Sequence, residues 1–189
     1  MRKLIAAINM TLDGFCDHTA LIADDEIHQH YNELLLSGGT VLYGRITYQL
    51  MEYWRTVAEH PTGHKSIDEF AVTMDNIPKV VFSRTMKNVE WASARLAKRD
   101  IKEEVFELKQ SDNGGSKDIL VGSRSLIITL LNLKLIDEFQ LCVQPIIAGK
   151  GLPLFENIND RINLKLLKTK TLTSSGSIVF YYEPTKTTK

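Results

Sequence analysis

The chain is poor in several features that mark functional classes. Its 189 residues include only two cysteines, Cys16 and Cys142. They are far apart and form no CxxC pair, so neither a disulfide framework nor a cysteine zinc site is expected. An excess of charge is also absent, since 23 Lys and Arg balance 23 Asp and Glu. Such a chain has no overall electrostatic pull on nucleic acid or on an anionic membrane, and neither partner is expected. No apolar run approaches the roughly 20 residues needed to span a bilayer. The apolar run at 4–8 is too short for the core of a signal peptide and is soon followed by Asp13 and Asp17. The expected setting is the cytoplasm. Aromatic residues are 8% and are not interleaved with basic ones, so no single-strand stacking surface is expected.

What is present alternates between two periods. Residues 4–8 form a continuous apolar run, as in a strand buried on both faces. Residues 24–36 read as a helix, with Ile27, Tyr31, Leu34 and Leu35 on one face and Asp24 and Asp25 at its positive end. A short strand at 40–43 closes on Gly44, and a helix at 45–51 follows directly. The His60-Pro61-Thr62-Gly63-His64 segment breaks regular structure. Further strands fall at 79–82 and 119–121, separated by a loop at 112–116. A helix at 125–135 is apolar almost all round. Strand-like runs at 139–143 and 146–147 are interrupted by Pro145. The last runs, around 164–171 and 178–182, flank Ser174-Ser175-Gly176 like a hairpin. Strands and helices that alternate and then give way to strands predict an α/β fold. Its sheet would be mostly parallel, with flanking helices and an antiparallel C-terminal hairpin. Residues 1–184 are expected to form one domain and 185–189 a polar tail.

Three strand ends carry phosphate chemistry: Gly44-Arg45-Ile46-Thr47, Ser83-Arg84-Thr85 and Gly122-Ser123-Arg124-Ser125. Ligands of open α/β sheets collect at the carboxyl ends of strands. Helix starts there offer free N–H groups, glycine permits close approach, and arginine grips phosphate in two places. Together they suggest a polyanionic cofactor with separated phosphates. Neither GxGxxG nor GxxxxGK[ST] occurs. His28, His30, His60 and His64 lack ligand spacing, so no metal site is expected and these are read as solvated histidines. Trp54 and Trp91 are read as packing residues.

In this order the segments resemble the C-terminal reductase domain family of the riboflavin-biosynthesis enzyme RibD, with its dihydrofolate-reductase-like fold. The resemblance rests on Thr11-Leu12-Asp13-Gly14, Gly44-Arg45-Ile46-Thr47-Tyr48, Val81-Phe82-Ser83-Arg84-Thr85 and Leu120-Val121-Gly122-Ser123. It continues through Leu135-Ile136-Asp137-Glu138, residues 145–151 and Pro153-Leu154-Phe155. It implies NADPH as cofactor. Arg45, Ser83, Arg84 and Thr85 would meet the adenosine 2′-phosphate and adenine side. Gly44, Thr47, Gly122, Ser123, Arg124 and Ser125 would hold the pyrophosphate, and Ala7, Leu12 and Gly14 would border the nicotinamide. It also implies a homodimer, which the apolar Phe139, Leu141, Val143 and Ile146 would favour. The expected activity is hydride transfer to a small pterin- or pyrimidine-like heterocycle, with Asp13, Asp24, Asp25 or water supplying the proton. A nucleotide-binding regulatory or scaffold protein without turnover is the alternative. Members that act on the ribosylamino-pyrimidine look to carry a lysine where this chain has Ala7, and Glu-Gly-Gly where it has Val121-Gly122-Ser123.

Overall fold

The computed structural model describes residues 1–111 and 117–185. The expected loop at 112–116 and the end of the tail, 186–189, lie outside them. In chain order the elements are β1 (Leu4–Thr11), α1 (Asp25–Ser37), β2 (Gly38–Gly44), α2 (Arg45–Glu59) and α3 (Lys65–Asn76). Then come β3 (Lys79–Phe82), β4 (Ala94–Leu96), α4 (Ile101–Gln110), β5 (Asp118–Val121) and α5 (Arg124–Asn132). The chain closes with β6 (Glu138–Gln144), β7 (Leu164–Leu172) and β8 (Ser177–Pro184).

The eight strands form one sheet in the order β4-β3-β2-β5-β1-β6-β8-β7. The first six are mutually parallel, and β8 runs antiparallel to both of its neighbours. The mostly parallel α/β sheet with an antiparallel C-terminal hairpin is therefore present. Every residue of β2 is buried, as a strand covered on both faces requires. Alternate side chains of the central strands feed two cores. Leu4, Leu42, Ile119 and Val121 pack with Val105 of α4 and Leu126, Ile127 and Leu130 of α5. Ile5, Val41, Tyr43 and Leu120 pack on the other face with Leu34 and Leu35 of α1, Tyr48 of α2 and Phe70 of α3. Trp91 is buried in the second core and Trp54 packs against it, as expected of packing residues.

Three elements appear where the sequence pattern showed none: α3, α4 and β4. The apolar period of α4 is interrupted because two of its buried positions are charged. Glu104 accepts hydrogen bonds from the Lys98 and Arg99 amides at 3.0 and 3.2 Å and pairs with Arg95 at 2.6 Å. Lys109 donates to Asp137 at 2.5 Å and to the Leu135 carbonyl at 2.8 Å. Each buried charge is thus paired, as burial demands. The run at 146–147 is not a strand. Pro145 ends β6, and Ile147 is 76% exposed.

His30 is buried rather than solvated, set against the Tyr31 ring at 5.2 Å. Burial, reinforced by Lys170, pushes its imidazole down to about 4. In the unfolded chain it titrates near 6.5. The unfolded state then binds the extra proton between these values, so this contribution is whole above about pH 6.5 and is lost as pH falls to about 4. We predict that His30→Leu flattens the acid limb of stability by at most about 3 kcal/mol, read from urea midpoints between pH 4 and 7. An unchanged limb would show that the imidazole is solvated.

Candidate functional site

The parallel pairing of β2 with β5 sets Val41 opposite Leu120 and Leu42 opposite Val121. The two strands therefore deliver Gly44 and Gly122 to one edge of the sheet, each at the start of a helix. The buried Ser123 hydroxyl ties the two starts together. Its Oγ accepts from the Gly44 amide at 3.2 Å and from the Thr47 hydroxyl at 3.0 Å. Helices α1 and α4 are capped by Asp24 and Asp100. Helices α2 and α5 have no side-chain cap and no acid in the first turn. Their first N–H groups have no intrahelical acceptor and lie at the positive ends of two dipoles. A Cβ at Gly44 would lie 3.0 Å from Ser123 Oγ and 3.3 Å from Ser125 Oγ, and one at Gly122 would lie 3.3 Å from the Ala7 carbonyl oxygen. Glycine keeps this notch open. Ala7, Gly44, Thr47, Gly122, Ser123 and Ser125 thus meet around a cradle suited to an anion of phosphate type.

Other residues of the three segments lie further out or face elsewhere. Arg45 begins α2 and is exposed. Phe82 pairs with Gly44, so Ser83, Arg84 and Thr85 leave the sheet one strand along. Ser83 Oγ accepts from the Thr85 and Met86 amides and shapes this turn, while Arg84 and Thr85 are exposed. The next strand end adds Lys98, also exposed, which no pattern in the sequence marked. The Ala97 amide bonds the Val81 carbonyl at 2.9 Å and brings that loop alongside. Arg124 departs from its expected role. Its Nε donates to the Pro153 carbonyl at 2.7 Å and its guanidinium pairs with Glu156, so it ties down the 153–156 loop.

The three candidate acids are all engaged in structural bonds. Asp13 accepts from the Thr11 hydroxyl at 2.6 Å and from the Ala148 and Gly149 amides at 3.1 and 2.7 Å. The Thr11 bond first, then the amides, holds its carboxyl below the usual range. Asp13 is suited to clasping the 145–151 loop rather than to donating a proton. Leu12 is exposed, and Gly14, at φ +91, turns the chain so that its carbonyl accepts from Leu154. The fully buried Gln144 makes a two-way bond with the Ile22 backbone and fixes the approach to α1. Asp24 caps α1 through the Ile27 amide and accepts from Ser174, while Asp25 accepts from Ser66 at the start of α3. These two carboxylates therefore hold different neighbours.

The face of α1 turned toward α2 and α3 carries what the sequence reading missed. His28 is half-buried, with ring centroids 5.6 Å from Trp54 and 5.8 Å from Phe70. Burial lowers its pKa, against the pull of Asp25 and Asp24, and favours the neutral imidazole. Ile46, Leu50 and Tyr53 leave an exposed apolar stripe along α2. Among the described residues no group of three or more His, Cys, Asp or Glu is placed to hold a metal, and both cysteines are free. No described helix is long and apolar enough to cross a membrane.

Ser123→Ala removes the acceptor shared by two helix starts. It should cost about 1–2 kcal/mol of stability, the range for an unmet buried donor, in urea unfolding. A change below about 0.5 kcal/mol would show that the clasp is unimportant.

An α/β sheet of this order, with two open helix starts at adjacent strand ends, defines the dihydrofolate-reductase-like class. The sequence profile of the RibD C-terminal domain matches residues 2–177, and the chain belongs to that family. The uncharacterized protein YyaP of Bacillus subtilis strain 168 is 34% identical over 186 residues, covering 96% of this chain and 94% of that one. Solved structures with the same fold include a pyrimidine reductase-like protein of Corynebacterium diphtheriae. It is 12% identical with a TM-score of 0.65, over 98% of this chain and 92% of that one. Acinetobacter baumannii RibD is 16% identical with a TM-score of 0.68, over 98% of this chain but 59% of that longer one.

Proposed function

We propose that the protein is a reductase that takes its reducing equivalents from NADPH and passes a hydride to a flat pterin- or pyrimidine-like heterocycle. The observation that carries this reading is the pair of uncapped helix starts joined by Ser123. The cradle fits a pyrophosphate: Gly44, Thr47, Gly122, Ser123 and Ser125 would hold it. Arg45 and Arg84 would meet the 2′-phosphate with Ser83 and Thr85 beside them, and Ala7, Leu12 and Gly14 would border the nicotinamide. When bound, the cofactor supplies the hydride, while the protein supplies position and electrostatics. With Asp13, Asp24 and Asp25 tied into the framework, the proton comes from water. The same tied acids favour the second reading, a nucleotide-binding regulatory protein without turnover.

The heterocycle is not expected to carry a ribose phosphate. Ala7 offers no charge beside Gly122, and Val121 is fully buried in the α4–α5 core.

Titration with NADPH should quench tryptophan fluorescence, and no binding at millimolar cofactor would end the reading. Arg45→Ala or Arg84→Ala should weaken NADPH about ten- to a hundredfold and leave NADH nearly unchanged, because a charge-assisted phosphate contact is worth roughly 1.5–3 kcal/mol. Equal losses for both cofactors would remove the arginine concerned from the phosphate site. Oxidation of NADPH with added pterins or pyrimidines separates the reductase from the binding protein.

We propose further that two copies pair across the face of β8 and β7. Phe139 and Leu141, expected on that interface, are buried in the chain's own core. The open apolar groups are one strand along. Ile178 and Leu166 are exposed, and Phe180 and Tyr182 stack with ring centroids 5.9 Å apart and stay half-open. Leu166 lies opposite Tyr182 and so shares their face. Light scattering at about 10 μM, well above a tight dimer's dissociation constant, should report a dimer that Phe180→Asp splits. A monomeric wild type would refute the pairing.

A further inference from the structure

Strand β1 is central in the sheet, yet it is not covered along its whole length. Leu4 to Ala7 are buried, whereas Ile8, Asn9 and Met10 are each partly open. The register explains the change. Pairing with β5 ends at Ala6 opposite Val121, while pairing with β6 runs on to Thr11 opposite Gln144. Past Ala7 the strand therefore has one edge without a strand neighbour, next to the Gly122 notch. The helices open the same place. Strands β1 and β2 send α1 and α2 to one face of the sheet, and β5 between them sends α5 to the other. Such a switch leaves a crevice outside the carboxyl ends of the strands, where ligands of open α/β sheets sit. Asn9 stands in this crevice two residues beyond Ala7, about 6–7 Å along the strand and on the same face.

The Asn9 carboxamide is held in one orientation. The Tyr31 hydroxyl of α1 donates to its Oδ1 at 2.9 Å. Burial raises the Tyr31 pKa well above the usual phenol value, so the hydroxyl keeps its proton and remains a donor. With the oxygen engaged, the two Nδ2–H groups are left, and they have no acceptor among the described residues. They reach solvent, unlike the sealed and unpartnered His28 Nδ1 and Asn32 Oδ1. The neighbours on this face, Ala7 along the strand and the buried Cys142 across it, bring no charge.

We infer that Asn9 sets the specificity of the reductase site: its carboxamide, turned by Tyr31, donates to a neutral acceptor, a carbonyl oxygen or a bare ring nitrogen, on the heterocycle seated beyond Ala7. A heterocycle that presents an amino group there meets donor with donor and is rejected. Tyr31 is a positioning residue, since it acts only through Asn9. The assignment rests on the reductase reading, in which that heterocycle lies beside the nicotinamide. The competing account makes the Tyr31–Asn9 bond a tie of α1 to the sheet, with the N–H groups left to water.

The test uses the full-length protein saturated with NADP⁺, which has no hydride to give, so that binding is read without turnover. Lumazine and 2,4-diaminopteridine are titrated by calorimetry at a pH where both are neutral. The second replaces the two ring carbonyls of the first with amino groups. The wild type should bind lumazine at least about tenfold more tightly, since a hydrogen bond made in one complex becomes two opposed donors in the other. Asn9→Asp keeps the shape but turns the donors into an acceptor, and should reverse the preference. Asn9→Leu should abolish it, and Tyr31→Phe, which lets the carboxamide turn, should narrow it. The inference fails if neither pteridine binds, if the wild type does not prefer lumazine, or if Asn9→Asp does not reverse the order, the mark of a mere tie to the sheet. Should Asn9→Asp not fold, as read by circular dichroism, the wild-type preference and its loss in Asn9→Leu decide. A wild type that binds neither NADP⁺ nor NADPH refutes the reductase reading itself, whereas cofactor binding without these pteridine preferences refutes only this assignment.

Discussion

One hydroxyl holds the functional edge of the molecule together. Ser123 Oγ accepts from the amide that opens α2 and from the hydroxyl one turn further on, yet it belongs to the start of α5. Two helices that arise some eighty residues apart are thereby held as neighbours with their positive ends side by side. The hydroxyl that would ordinarily cap α5 is spent on α2, so α5 remains open. The glycines at 44 and 122 follow from the same constraint, since a side chain at either would press on Ser123 or on the Ala7 carbonyl. Cradle, glycines and absent caps are one arrangement rather than separate features.

Around this edge the polar residues divide into those that build and those left free. Asp13, Asp24, Asp25, Gln144 and Arg124 all reach across to a neighbouring loop or helix and fix it. Arg45, Arg84 and Lys98 stay exposed at successive strand ends. A rim of bonded loops that carries exposed cations suits a large anionic ligand, because the loops need little ordering when it arrives.

Much of the fold was legible in the sequence because the central strands are covered on both faces and so read as unbroken apolar runs. Gly44 and Gly122-Ser123 were legible for a related reason: small residues directly after such runs mark where a helix start meets a strand end. The illegible parts share a cause. Helix α4 hides its period by burying Glu104 and Lys109, each satisfied by partners that only the tertiary structure supplies. Arg124 has the right type and position for phosphate, but Pro153 and Glu156, about thirty residues on, claim it. His28 and Asn32 stand at ordinary helical spacing. Only the tertiary structure shows that His28 meets Trp54 of α2 and Phe70 of α3, and that each residue carries one buried atom without a partner among the described residues.

The place of β1 in the sheet has a consequence for how the chain reaches this state. Strand β1 lies near the centre, paired on one side with residues 119–121 and on the other with 138–144. Neither partner exists until most of the chain has been synthesised. An emerging chain can assemble β2, β3 and their helices early, but β1 must wait with both edges unpaired. Long-range pairing of this kind slows folding and exposes open strand edges in the meantime. Strand β1 is thus completed only once β6 is made, and a chain cut short before β6 would leave it without a neighbour on that side.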